Sequence, residues 1–302
     1  MTDKTLDYIN GNFTNKKLKK IVNVYQTQYM NYKSLGFGDF LRGSFYLANI
    51  CVILGLEFDV DLINHPMSKF LKISNSSYNF CKSSVEAFID DNNSTKEEEI
   101  RKNFIKKINN FDGEIYYLFC NFQMLFHIEK PTFNVIQYTK NIIIPKIELK
   151  EDLLNILDRK LLNYNLKRNN YAVIHIRGGD HFMNANIDDD LDEISIKRVD
   201  DIISTINKQF NNKKKYVLIG DSDKIKKYIT SKFHNIVMFN TQITHLGECK
   251  TDNYTEILDT LIDFNIMRFS NYIISFTGYP HGSGFSKYCS QIYDIQFKQI
   301  IL

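Results

Sequence analysis

Between Tyr171 and Phe285 the chain alternates short, almost wholly apolar runs with longer amphipathic ones, and this alternation limits the fold more than any other feature. Tyr171–Arg177, Lys215–Ile219, Asn235–Phe239 and Tyr272–Phe276 have the length and the β-branched, aromatic content of buried strands. Helical spacing occupies the intervals, around Ile194–Phe210, Lys224–Lys232 and Tyr254–Phe269, and a further helix is expected from Gly284. In the last of the three interval helices Leu258, Leu261, Ile262 and Phe269 are expected on the apolar side. Strands separated by helices imply βαβ units and a parallel sheet, so the fold class is α/β.

The first half is less regular. It opens with a polar segment, and no clean apolar strand precedes Gly36-Phe-Gly-Asp-Phe-Leu-Arg-Gly43. From Asp39, read as an N-cap, apolar residues recur at Leu41, Phe45, Ala48 and Val52, with Gly55 as the stop. Glu57–Leu62 alternates as a strand, and Glu114–Cys120 reads as a buried one. Residues 74–113 read as a surface insertion with one charged helix, and a helix is expected over about Leu149–Leu162, after Pro145. With 302 residues, two domains are expected, 1–165 and 166–302, joined through the polar stretch Asn163–Asn170.

Several function classes drop out. A net charge of +3 lacks the clustered basic face that nucleic acid requires, and Lys16–Lys20 and Lys213–Lys215 read as solvated surface. The five cysteines are scattered with no CxxC pair, which argues against zinc ribbons and redox motifs and for buried free thiols in a reducing compartment. The N-terminus is too polar for a signal peptide, and no apolar run approaches the roughly 20 residues of a membrane span. The expected location is cytoplasmic, in a bacterium or in the host cell if the chain is viral.

In open α/β sheets ligands sit at the carboxyl ends of strands. Three such ends carry polar or glycine-rich sequence: His175-Ile-Arg-Gly-Gly-Asp180, Gly220-Asp-Ser-Asp223 and Gly278-Tyr-Pro-His-Gly-Ser-Gly-Phe285. Arg177 at a strand end offers a planar fork to a phosphate, or a structural ion pair. His175 shares its side of the strand, either as a site residue or as a satisfied core histidine. Ser283-Gly-Phe285 opens the last helix, where free N–H groups favour an anion. Asp221-Ser-Asp223 is open to three readings: a metal-binding DxD pair, an acceptor for a guanine edge or ribose, or a helix cap. Gly36 and Gly38 offer a second backbone cradle or a plain turn. His245, His281 and Asp188–Asp190 lack ligand spacing and read as surface.

The order of these blocks resembles the GT-B-type fucosyltransferase superfamily, which includes the α-1,2-, α-1,6- and protein O-fucosyltransferases. The resemblance rests on Gly36–Gly43, His175–Asp180, Gly220–Asp223 and Ser270–Ser286, and it covers the second half better than the first. It implies two Rossmann-like domains facing a central cleft, an N-terminal acceptor-binding domain and a C-terminal donor domain. The implied activity is inverting transfer of fucose from GDP-fucose to a glycan hydroxyl, with no metal and no cofactor. The alternatives are another GDP- or UDP-sugar, or a non-catalytic nucleotide-sugar-binding protein. By the same resemblance Gly36, Gly38, His175, Arg177, Asp221, Ser283, Gly284 and Phe285 bind the donor, with Arg177 on the β-phosphate. Asp39 and Asp180 are the alternatives for accepting the acceptor's proton. Two departures stand out: relatives often carry a second arginine where this chain has Gly178, and Thr277-Gly-Tyr-Pro-His281 is an insertion.

Overall fold

The computed structural model describes residues 11–73, 78–90, 94–123, 134–178, 193–210, 214–242, 244–249 and 254–302. The chain forms two compact units: Met1–Lys150 with His245–Tyr254, and Glu151–Thr244 with Thr255–Leu302.

The first unit is built on four parallel strands, β1 (Lys20–Val24), β2 (Glu57–Asp61), β3 (Glu86–Phe88) and β4 (Ile115–Cys120), in the order β2-β1-β4-β3. Among the described residues the longer helices beside them are α1 (Phe37–Leu54), α2 (Ser94–Asn110) and α3 (Val135–Lys146). β1 corrects the sequence reading, which has no strand there. Its run Ile21-Val-Asn-Val24 is short and broken by Asn23, and Lys19 and Lys20 before it disguise it, yet it is one of the two inner strands of the sheet. α3 is an addition to the sequence reading: Pro145 lies in its last turn, and the helix expected after Pro145 follows at Glu151–Asn163. Residues 86–88, expected within an insertion, pair as the edge strand β3.

α1 is apolar enough by length and composition to cross a bilayer, and 72% of it is buried inside the protein, the place of a core helix. Gly43 allows its close approach to the sheet, because a Cβ there would lie 1.6 Å from the Cys120 carbonyl oxygen. Buried Asn23 ties the layers together. Its amide donates to Ser44 Oγ on α1 at 2.9 Å, and its oxygen accepts from Cys120 N–H at 3.1 Å. Burial of such polar groups is tolerated because each is paired. Segment 245–249 belongs to this unit, with His65 Nε2 2.7 Å from the Leu246 carbonyl. His245 is therefore half-buried rather than a surface residue. Of the five cysteines, all free, four are buried and Cys81 is exposed.

The second unit holds five parallel strands, β5 (Ala172–Arg177), β6 (Tyr216–Gly220), β7 (Ile236–Met238), β8 (Tyr272–Thr277) and β9 (Gln296–Ile301), in the order β7-β6-β5-β8-β9. Among its described residues lie helices α4 (Glu151–Asn163), α5 (Glu193–Gln209), α6 (Asp223–Thr230), α7 (Tyr254–Arg268) and α8 (Gly284–Tyr293). α4 groups with this unit, and Arg168 pairs with Asp158 through two nitrogens at 2.8 Å each. One core cluster joins alternate residues of β5 (Ala172, Ile174, Ile176) to Val199, Ile202 and Ile206 of α5 and to Ile225 and Ile229 of α6. The edge strand β9 was not foreseen.

Candidate functional site

The order β7-β6-β5-β8-β9 has a topological switch between β5 and β8. Successive strands run outward from β5 to β7, and the chain then crosses back to β8 on the other side of β5. The crevice at the carboxyl ends beside such a switch is where open α/β sheets bind ligands. The register brings the three polar strand ends together, because Ile176 pairs with Gly220 and Arg177 with Thr277.

Arg177 and Asp221 meet at this edge. Arg177 Nη1 donates to Asp221 Oδ2 at 3.1 Å, and Gly178 N–H donates to Oδ1 at 3.0 Å. The Asp221 side chain is 2% exposed and that of Arg177 23%, so the carboxylate lies inside and the cation outside. The sequence reading has Asp221 facing a ligand. Instead it grips the arginine and the following amide. The guanidinium, open in the sequence to either a phosphate or a structural ion pair, is bonded to an acid of its own chain. A guanidinium carries five N–H donors in a fixed fork, and an acid held on one nitrogen fixes the direction of that fork. Tyr279, in the insertion after β8, has its ring centroid 5.9 Å from Arg177 Cζ.

His175 lies beneath Arg177 at 6% exposure. Its Nδ1 is 3.0 Å from Ser286 Oγ and 3.4 Å from Ser275 Oγ, and the two serines bond each other at 3.0 Å. Burial, and then the Arg177 charge, push its pKa down to about 3, so the imidazole is neutral and does no acid–base work near pH 7. It is a hydrogen-bonded pin from β5 to the first turn of α8. Phe285 packs 6.1 Å from the His175 ring and edge-on to Phe264 at 5.2 Å, which fixes the start of α8. Ser283 is the N-cap residue of α8, is 5% exposed, and its side chain makes no capping bond. The first-turn N–H groups of a helix, here from Gly284 onward, lack intrahelical acceptors and carry the positive end of the dipole.

The DxD sequence divides between two ion pairs and a cap. Asp221 holds Arg177, Ser222 caps α6 by accepting from Ile225 N–H, and Asp223 pairs with Lys226 Nζ at 2.7 Å. Lys226 is itself buried, and its charge acts on Asp263 of α7. Asp263 went unnoticed in the sequence. It is 3% exposed, its Oδ1 has no hydrogen-bond partner among the described residues, and burial pushes its pKa up to about 7. The available signal was an acid inside Leu261-Ile-Asp-Phe264, where the helix is buried on every side. Among the described residues no group of three or more His, Cys, Asp or Glu is placed to hold a metal.

The glycine-rich segment of the first unit differs from its reading. α1 begins at Phe37 with Gly36 as the N-cap, not at Asp39. Gly38 is therefore inside the first turn, and Asp39 N–H is bonded to the Gly36 carbonyl at 3.0 Å. The Asp39 carboxylate pairs with Arg42 Nη2 at 2.9 Å and keeps 34% of its exposure. Arg42 Nε donates to the Asn121 carbonyl at 2.6 Å. A Cβ at Gly36 would sit 3.0 Å from His245 Nε2. Gly179, Asp180 and Asp188–Asp190 lie outside the described residues.

No protein-family model and no curated protein sequence matches the chain. Solved structures do. A crystal structure of NodZ α-1,6-fucosyltransferase, a protein from Bradyrhizobium, co-crystallized with GDP, superimposes with a TM-score of 0.51 at 12% identity, over 91% of this chain and 92% of that one. The same enzyme soaked with GDP-fucose gives a TM-score of 0.50 at 13% identity, over 91% and 93%. A mutant of Arabidopsis thaliana FUT1 in complex with GDP gives 0.50 at 9% identity, over 98% of this chain and 73% of that one. At such identities the likeness is one of architecture, and the chain has the GT-B-type fold of the fucosyltransferases.

Proposed function

We propose that the chain is an inverting, metal-independent glycosyltransferase that takes fucose from GDP-fucose and passes it to a hydroxyl of a glycan or glycoconjugate. The observation that carries this reading is Arg177, held by Asp221 at the switch point of the second unit beside the first turn of α8. The GDP and GDP-fucose bound by proteins of the same fold support it.

Breaking the sugar–diphosphate bond builds negative charge on the leaving phosphate. Arg177 and the amides of Gly284 and Phe285 stabilise that charge, and preorganised donors of this kind act without reorganising during the reaction. Asp221 is the residue that positions Arg177. His175, neutral and bonded to Ser286, holds α8 in register with β5 and does not shuttle protons. The acceptor hydroxyl requires a base. Asp39, partly exposed and steadied by Arg42, is one choice, and Asp180 is the other.

Thermal unfolding with GDP, UDP and ADP tests the donor class. GDP at about 100 times its Kd is expected to stabilise the chain by about 2.7 kcal/mol, with UDP and ADP well below it at equal concentration. An equal response to all three, or none to GDP, refutes the proposal.

A further inference from the structure

The insertion Thr277-Gly-Tyr-Pro-His281 has no part in the mechanism above, yet it is closely fixed. Tyr279 N–H donates to the buried Thr277 Oγ1 at 3.1 Å, and Gly278 N–H approaches the Arg177 carbonyl at 3.4 Å. Gly282 N–H donates to the Tyr279 carbonyl at 3.0 Å, which closes a four-residue turn with Pro280 at its second position. Gly282 has φ +84°, a backbone conformation that favours glycine, and the end of the Gln299 side chain lies where a Cβ would go. A turn fixed at both ends holds the half-buried Tyr279 ring in one place, 5.9 Å from Arg177 Cζ and 5.3 Å from the His281 ring.

A guanidinium within about 6 Å of an aromatic face is attracted by the ring quadrupole. Among the described residues Arg177 is therefore held by the Asp221 carboxylate at the end of β6 and by the Tyr279 ring after β8. We infer that Tyr279 is a positioning residue for Arg177, and that the insertion exists to hold the guanidinium in the orientation that receives a diphosphate. The inference rests on the donor-site reading. A fork already oriented loses less freedom when it binds, so the effect falls on ligands that carry phosphate.

Calorimetric titration of the full chain with GDP and with guanosine tests this, using wild type, Tyr279→Ala and Tyr279→Phe. Tyr279→Ala is expected to weaken GDP about tenfold and to leave guanosine unchanged, because guanosine has no phosphate for Arg177 to meet. Tyr279→Phe, which keeps the ring, is expected to bind GDP as wild type does. Undiminished GDP binding by Tyr279→Ala overturns the inference alone. So does an equal loss of GDP and guanosine, which marks a merely structural role, or a failure of Tyr279→Phe to restore binding. Wild type that binds no GDP overturns the donor reading and this inference with it.

Discussion

Replacing Arg177 with alanine separates the structural work of the Arg177–Asp221 pair from its chemical work. Asp221 is 2% exposed, and its Oδ2 loses the 3.1 Å contact to Nη1, while Oδ1 keeps the Gly178 N–H at 3.0 Å. Stranding one member of a fully buried ion pair costs about 3–5 kcal/mol. Here Oδ1 keeps its bond, and the space left by the 23%-exposed arginine side chain admits water, so about 2–3 kcal/mol is expected. Adding Asp221→Asn removes the stranded charge and is expected to recover more than half of that loss. The pair interacts directly, so the two changes do not add, and the double-mutant cycle reads the coupling. The chain has no Trp, so urea unfolding is best followed by far-UV circular dichroism. The double variant, refolded in this sense, is expected to bind GDP no better than Arg177→Ala. If Arg177→Ala is as stable as wild type within about 0.5 kcal/mol, or Asp221→Asn rescues nothing, the buried-carboxylate argument is wrong.

Asp263→Asn is expected to flatten the pH dependence of stability. With the folded carboxyl pushed up to about 7, Asp263 is protonated in both states well below about pH 4, and there it takes nothing from stability. As pH rises from about 4 to about 7 the unfolded chain ionises first, and stability falls by at most about 4 kcal/mol in total before levelling off. Urea midpoints of wild type and variant across that window check this, and parallel curves contradict it. Gly43→Ala is expected to cost about 3 kcal/mol or more, since its Cβ meets the backbone of Cys120 rather than a movable side chain. A near-wild-type unfolding midpoint in that variant would show that α1 can move away freely.

The second unit was legible because its central strands are apolar on both faces and most of its helices, though not the buried α7, are amphipathic, so period and length decide each element. The failures have local causes. β1 offers only Ile21, Val22 and Val24, broken by Asn23, between lysines and a long loop, and β9, Gln-Phe-Lys-Gln-Ile-Ile, is a half-exposed edge without a strong pattern. Asp39 looked like a cap because Ser, Thr, Asp and Asn cap helices best, but Gly36 serves here and the helix starts two residues before Asp39. Strand ends named the residues of the site but not their partners. That Arg177 meets Asp221 depends on the β5–β6 register, Ile176 opposite Gly220, which no local pattern encodes. Asp263 stayed hidden because a lone acid in an apolar helix is normally assigned to the solvent face.

A crystal structure with GDP bound is the most direct measurement. The account predicts the diphosphate within hydrogen-bond distance of the Arg177 guanidinium and of the Gly284 and Phe285 amides, with Asp221 still gripping the arginine from below. A diphosphate bound elsewhere, with Arg177 turned wholly to Asp221, would contradict it.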